Sequence, residues 1–137
     1  MQSFLPLYRA VHRWKDRTKE VDLALFPGYV FVHLPLRDRL RVLEIPGVVR
    51  FVSFQSKPAA LPEIELESLR RGLAGRIPMT PHPYLQVGRR VRLRSGPMAG
   101  LEGILRRRKE RLRLVVSIEM LMRAVAVEVD EADVVPS

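Results

Sequence analysis

The chain has 137 residues, a length that fits one ordinary domain or two small ones. It contains no cysteine, which excludes disulfides, thiolate metal sites and a cysteine nucleophile, and no apolar run reaches the roughly 18 residues of a membrane span. Lysine and arginine outnumber aspartate and glutamate by 24 to 15, which favours nucleic acid, or a protein assembled on it, over a merely soluble basic surface.

The first predicted feature is an extended basic tract from Phe4 to Lys19 in which cations surround aromatic residues. This mixture suits contacts to phosphates with occasional base stacking, and a solvated hairpin is the alternative interpretation. The predicted nucleic-acid-binding residues are Arg9, Arg13, Trp14, Lys15, Arg17 and Lys19. After the tract, Phe26-Pro27-Gly28 predicts a turn that enters a strand over residues 29–34.

Two helices with a strand between them come next. Residues 35–44 predict a helix in which Leu36, Leu40 and Leu43 share one face, and residues 48–54 predict a second strand. Residues 62–73 predict a second helix with glutamates in its first turns and arginines in its last, which suits the helix dipole. Either Gly72 or Gly75 is expected to end it.

Residues 75–84 contain three prolines without apolar periodicity, and this composition predicts an extended linker. The domain boundary is therefore placed there, between a first unit over residues 1–74 and a second over residues 85–137. The second unit predicts five short strands, near residues 89–94, 102–108, 112–118, 123–129 and 134–135. Short strands with glycine turns suit a small closed β-barrel.

The strand near residues 89–94 alternates apolar and basic side chains, which predicts one buried and one exposed face. The expected buried set is Val87, Val91 and Leu93, and the expected exposed set is Arg90, Arg92 and Arg94. Six further cations crowd a predicted hairpin, where RNA or an acidic protein would relieve their repulsion and a plain exposed turn is the alternative. They are Arg106, Arg107, Arg108, Lys109, Arg111 and Arg113.

Four segments, in order, resemble the NusG family of transcription elongation factors. Phe26-Pro-Gly-Tyr-Val-Phe-Val and Ile45-Pro-Gly-Val-Val-Arg-Phe-Val resemble segments of its N-terminal (NGN) domain. The stretch 87–105, with Ser95-Gly-Pro-Met-Ala-Gly-Leu-Glu-Gly, resembles the KOW motif. Val116-Ser-Ile, followed by Arg123-Ala-Val-Ala-Val-Glu-Val-Asp, is similar to the last strands of the C-terminal barrel. The resemblance implies an α+β protein, with an NGN-like α/β sandwich followed by an SH3-like KOW β-barrel.

The resemblance also implies partners. In the family, aromatic residues of the first domain form an apolar pocket for the clamp helices of RNA polymerase, and charged residues face the opposite side of the cleft. The positions implied here are Phe26, Pro27, Tyr29, Phe31, Phe51, Asp38, Arg39 and Arg41. Plain core packing and a solvated helix face are the alternatives. The basic tract would lie near DNA of the transcription bubble, and the second domain would recruit a small-subunit ribosomal protein or the Rho factor.

The sequence departs from the family pattern in two places. The family's first strand and helix are expected ahead of Phe4 and are not found there, which predicts a truncated first domain with bare apolar surface. Either the start codon is assigned too late, or another chain supplies the missing elements, as in a domain-swapped dimer. The turn from Ser117 to Arg123 is two residues longer than usual, which resembles specialised paralogues of the UpxY and RfaH kind. Its apolar residues form the expected partner patch, namely Ile118, Met120, Leu121 and Met122.

No catalytic constellation is present in the sequence. His12, His33 and His82 fall in separate segments without metal-ligand spacing, and no nucleotide-binding or hydrolase motif is found. The expectation is a cytoplasmic, non-enzymatic elongation or antitermination factor that binds RNA polymerase and suppresses pausing or termination, without cofactor or metal. The alternative is a KOW-containing ribosomal or RNA-binding protein.

Overall fold

Strands dominate the fold of the computed structural model, which describes residues 2–54 and 57–137. The α-helices are α1 (Arg39–Leu43) and α2 (Glu63–Ala74). The strands are β1 (Gln2–Phe4), β2 (Leu7–Arg13), β3 (Thr18–Ala24), β4 (Phe31–His33), β5 (Ser53–Phe54), β6 (Lys57–Pro58), β7 (Met79–His82), β8 (Arg90–Leu93), β9 (Glu102–Arg108), β10 (Arg111–Ile118), β11 (Arg123–Val129) and β12 (Val134–Pro136). The predicted α+β class is confirmed.

The second half of the chain forms one antiparallel sheet of six strands in the order β12-β8-β9-β10-β11-β7. The five strands predicted for this half all form, and every bound agrees with the prediction to within one residue. The sixth strand, β7, lies inside the segment predicted to be a linker and pairs with β11 from Met79 to His82. The two-domain division itself stays a prediction.

The two faces of this sheet have different coverings. Register places Leu114, Val116 and Val127 on one face, where they join the main core. The opposite face carries Val115 and Ala126, which with Ile104 and Ala124 form a smaller buried cluster against Leu85. The loop before β8 is fixed there by Ser117, whose hydroxyl donates to the Leu85 carbonyl at 2.7 Å.

In the first half of the chain the strands form three separate two-stranded sheets, β1-β4, β2-β3 and β5-β6. The strand predicted over residues 48–54 is wrong for most of its length, because only Ser53 and Phe54 pair. Val49 is 89% exposed, and β-branched residues form a strand only where a neighbouring strand accepts their hydrogen bonds and packs their side chains. The predicted strand at residues 29–34 shortens to β4 for the same reason.

Helix α2 joins the two halves. Leu69 is fully buried in a core cluster that also contains Phe26 and Phe31 from the first half and Val91 and Val116 from the sheet. The helix ends at Ala74 with Gly75 as its cap. The prediction that Gly75 ends the helix is therefore confirmed, and the alternative, that Gly72 ends it, is wrong.

Gly72 lies inside α2, where a Cβ atom would come within 2.5 Å of Met79 Cε and 2.6 Å of Met98 Sδ. The glycine lets the helix approach the sheet closely.

Val87 is predicted to be buried but is 82% exposed. Strand β8 begins only at Arg90, because Gly88, at a φ of +144°, interrupts the alternation. Val91 and Leu93 are buried as predicted.

Candidate functional site

The aromatic residues expected in a polymerase pocket lie mostly inside the protein. The Phe26 and Phe31 rings are buried and meet edge to face with centroids 5.4 Å apart, and Phe4 packs 6.2 Å from Phe31. Tyr29 and Phe51 are half-buried, and Pro27, the non-aromatic residue of the expected pocket, is exposed. The two phenylalanines therefore support the surface from beneath and do not offer open ring faces.

Apolar side chains are exposed instead along the short helical segment that follows β4. It consists of a 3-10 turn (Leu36–Asp38) and α1. Leu36 and Leu40 are each 63% exposed and Leu43 is 40% exposed. We call these three residues the leucine stripe. The sequence places these leucines on one face of a helix, but helical spacing alone does not show whether that face packs against the core or binds a partner.

Charged residues flank the leucine stripe. Arg39 and Arg41 are exposed, and Asp38 is half-buried. Arg39 Nη1 donates to the Leu36 carbonyl at 3.1 Å, which holds this arginine along the helix. A rim of charge around an exposed apolar strip is the usual arrangement of a protein-binding surface.

The basic tract forms the β2-β3 hairpin, and not all of its cations are available. Arg9 is paired with Glu20 at 3.1 Å and with Asp22 at 3.7 Å. At the tip, the Arg17 guanidinium lies over the Trp14 ring, 5.2 Å from its centroid. Arg13, Lys15 and Lys19 are exposed. The positive charge is therefore concentrated near the tip.

The turn from Ser117 to Arg123 divides its apolar residues between the core and the surface. Ile118 and Leu121 are buried, whereas Met120 is 40% and Met122 62% exposed. Residues Glu119–Leu121 form a 3-10 turn, and Met122 follows in the left-handed region with a φ of 54°. The structure does not bring all four predicted residues to one exposed patch, and only the two methionines face solvent.

Two carboxyls on α2 have perturbed acidities. Partial burial raises the pKa of Glu65, and the neighbouring charge of Glu119 raises it further. The hydrogen bonds that Arg70 donates to Glu67, one of them 3.1 Å long, lower the pKa of that carboxyl. Glu65 thus places a poorly solvated acid where α2 approaches the sheet.

Neither group forms part of a metal or catalytic cluster. Over residues 2–54 and 57–137, no three His, Asp or Glu side chains come together as a set that could hold a metal ion. Within those same residues, the helices are too short or too polar to cross a lipid bilayer.

Comparison with known proteins identifies the family. A sequence model of NusG, described as transcription termination factor nusG, matches residues 1–70. Proteins named transcription termination/antitermination protein NusG are similar to the chain. The Escherichia coli K12 protein is 32% identical over 139 residues, covering 97% of this chain and 76% of its own length.

The protein from Lactococcus lactis is 33% identical over 119 residues, covering 83% of this chain and 63% of its own length. That from Helicobacter pylori J99 is 26% identical over 118 residues, covering 84% and 67%. The chain thus spans between 63% and 76% of the lengths of these three relatives.

The position of the family match bears on the alternative of a ribosomal KOW protein. Residues 1–70 precede the KOW-like segment, so the match does not depend on the motif that ribosomal proteins share. The relatives are named for transcription and not for the ribosome. The chain therefore belongs to the NusG family of transcription termination and antitermination factors.

Proposed function

We propose that this chain binds RNA polymerase through its first half and suppresses pausing or termination during elongation. The observation that carries the proposal is the leucine stripe, since leucines exposed by 63% cost free energy in water unless a partner covers them. Family membership supports the choice of the polymerase as that partner. The aromatic residues Tyr29 and Phe51 would contact the other side of the polymerase cleft, supported from beneath by buried Phe26 and Phe31.

The flanking charges would serve the same contact. Asp38, Arg39 and Arg41 would meet polar groups around the apolar strip, which adds specificity and association rate more than affinity. Bridging two sides of the polymerase cleft would disfavour the open state of the clamp, and a paused complex that needs that state would become rarer.

The remaining surfaces would contact other parts of the elongation complex. The hairpin tip, with Arg13, Trp14, Lys15, Arg17 and Lys19, would contact DNA near the transcription bubble. Met120 and Met122 would form the contact to a small-subunit ribosomal protein or to Rho, because exposed methionines adapt to varied apolar partners. A partner held in this way gains a high effective concentration at the polymerase.

The test is binding of the full chain to purified core RNA polymerase. The double variant Leu36→Ser/Leu40→Ser is expected to bind at least tenfold more weakly, because each leucine contributes about 1–2 kcal/mol when it is covered. The stripe is exposed, so the variant keeps its fold. Phe26→Ala is a poor substitute, since removing a buried ring costs about 3–5 kcal/mol of stability.

The matched control is Ile64→Ser/Val87→Ser, which removes two exposed apolar side chains, 59% and 82% exposed, outside the proposed surface. This control is expected to bind like the unchanged chain. Unchanged binding by the leucine-stripe variant, or equal weakening by both doubles, would remove the leucine stripe from the polymerase interface.

A further inference from the structure

The β9-β10 hairpin places arginines directly opposite one another. In its register Arg106 faces Arg113 and Arg108 faces Arg111. Directly paired residues on antiparallel strands point to the same side of the sheet, roughly 5 Å apart, and residues two apart along a strand are about 7 Å apart. The four side chains therefore form one cationic surface, which we call the arginine ribbon.

Such an arrangement is unfavourable without a counter-charge, because like charges directly opposite each other destabilise a sheet. The protein supplies only part of the compensation. Arg111 is paired with Glu128 at 2.6 Å, and Arg113 donates a hydrogen bond to the Thr80 hydroxyl. In the part of the chain that the structure describes, Arg106 and Arg108 have no carboxylate within 4 Å.

The arginine ribbon borders an open groove of about 650 Å³. Its lining includes Tyr8 of β2, Thr80 and His82 of β7, and Arg106, Arg108 and Arg113 of the arginine ribbon. Buried Val115 contributes an apolar wall, and Pro81 and Pro83 add rigid apolar surface. The groove is therefore built by both halves of the chain.

We infer that this groove binds single-stranded nucleic acid. Guanidinium groups at about 5 and 7 Å spacing make bidentate contacts to successive phosphates. The Tyr8 ring and the His82 imidazole, whose Nδ1 is 2.7 Å from the Pro83 carbonyl, are flat surfaces on which bases stack. This site is separate from the hairpin tip and from the leucine stripe.

Rings and prolines beside the arginines favour nucleic acid over an acidic protein segment. An acidic peptide would use the cations but would leave the rings without a planar partner, whereas an unpaired base has a π-face for each of them. A duplex keeps its bases stacked on one another, so it would use the arginines alone. The groove thus matches a strand that offers phosphates and free bases together.

The test measures fluorescence anisotropy of labelled twelve-nucleotide oligouridylate and oligothymidylate with the full chain, without polymerase, at several salt concentrations. Arg106→Gln/Arg108→Gln is expected to weaken binding at least tenfold at about 100 mM salt. The slope of log K against log salt should become shallower by about 1.4, since each lost phosphate contact accounts for roughly 0.7 in single strands. Equal binding of both oligonucleotides, or a preference for RNA through its 2′-hydroxyls, supports the proposal.

Two variants separate specific binding from net charge. Arg89→Gln/Arg92→Gln removes the same charge from exposed positions outside the groove and is expected to change the dissociation constant less than threefold. Tyr8→Leu keeps apolar bulk but loses the ring, so binding is expected to weaken several-fold, whereas Tyr8→Phe retains it. Thermal melting of each variant confirms that it is folded.

Three results would overturn the inference: no binding of either oligonucleotide, equal loss in the two arginine doubles, or tighter binding of a glutamate-rich peptide that depends on Arg106 and Arg108. Because polymerase is absent from the assay, none of these results bears on the proposed polymerase contact.

Discussion

At the residue scale, Gly103 is the position where the sheet tolerates no side chain. It lies in β9, between its neighbours β8 and β10, and a Cβ atom would come 2.5 Å from the Val115 carbonyl oxygen and 3.1 Å from Leu114. A backbone oxygen in a paired central strand cannot move aside as the end of a flexible side chain can. We expect Gly103→Ala to lower the free energy of unfolding by about 1–3 kcal/mol in urea denaturation.

The matched control is Gly75→Ala, at the end of α2. Its φ is −82° and the nearest atoms to an added Cβ are 3.5 Å away or more. This substitution is expected to leave stability unchanged or to raise it by up to about 1 kcal/mol, because alanine restricts the unfolded chain. Similar effects of the two substitutions would mean that the close approach at Gly103 is not what stabilises the sheet.

At the element scale, local sequence patterns predicted the helices and strands that are determined by residues close together in the chain. The alternation of apolar Val91 and Leu93 with arginines predicted β8, and the glutamate-to-arginine polarity of residues 62–73 predicted α2. In contrast, β7 forms because the edge of β11 offers hydrogen-bonding groups to residues 79–82. Pro81 fits there because a proline is tolerated on an edge strand, but composition alone predicts a linker.

The same distinction applies to the candidate surfaces. An aromatic run such as residues 26–31 fits equally a core or a binding pocket, and only packing shows that Phe26 and Phe31 are buried. The cations of residues 106–113 were visible in the sequence, but their direct opposition depends on the register of β9 and β10. The leucine stripe was visible as a helix face, while its exposure depends on which neighbours cover it.

The contact between α2 and the sheet predicts a pH dependence of stability. Glu65 has a pKa raised above its ordinary 4.5 by partial burial, by Glu119 and by Glu102, with Arg90 opposing. The folded state therefore binds this proton more tightly than the unfolded state does. The contribution of Glu65 to the free energy of unfolding falls as the pH rises from about 4.5 through the raised pKa.

Glu65→Gln removes the carboxylate and is expected to raise stability at pH 7. The gain in free energy of unfolding over the unchanged chain should shrink as the pH is lowered. It should vanish where the Glu65 carboxyl is protonated in both the folded and the unfolded state. Urea denaturation at a series of pH values measures this difference. Glu44→Gln, an exposed site outside α2, is the control for loss of a surface carboxylate. A constant advantage of Glu65→Gln at every pH would contradict the electrostatic explanation.

At the scale of the whole molecule, one core connects both halves of the chain. Phe26 and Phe31 belong to the same buried cluster as Leu69 of α2 and Val116 of the sheet. The sequence predicted two domains joined by a linker, and a mobile adaptor would need these contacts to separate. Because Leu69 lies in a core shared by both halves, we expect the halves to stabilise each other and to unfold together, and not to move as separate domains.

We therefore expect a single calorimetric transition for the full chain, with equal calorimetric and van't Hoff enthalpies. For 137 residues the enthalpy should be roughly 90–100 kcal/mol near 60 °C, at about 0.7 kcal/mol per residue. Leu69→Ala removes a buried side chain where α2 packs against the sheet. It should lower the free energy of unfolding in that one transition by about 2–5 kcal/mol. Ile64→Ala, at an exposed position on the same helix, should leave the free energy of unfolding nearly unchanged.

Two resolved transitions, with Leu69→Ala shifting only one of them, would instead support two independent domains, because the unfolding of the two halves would then not be coupled through α2.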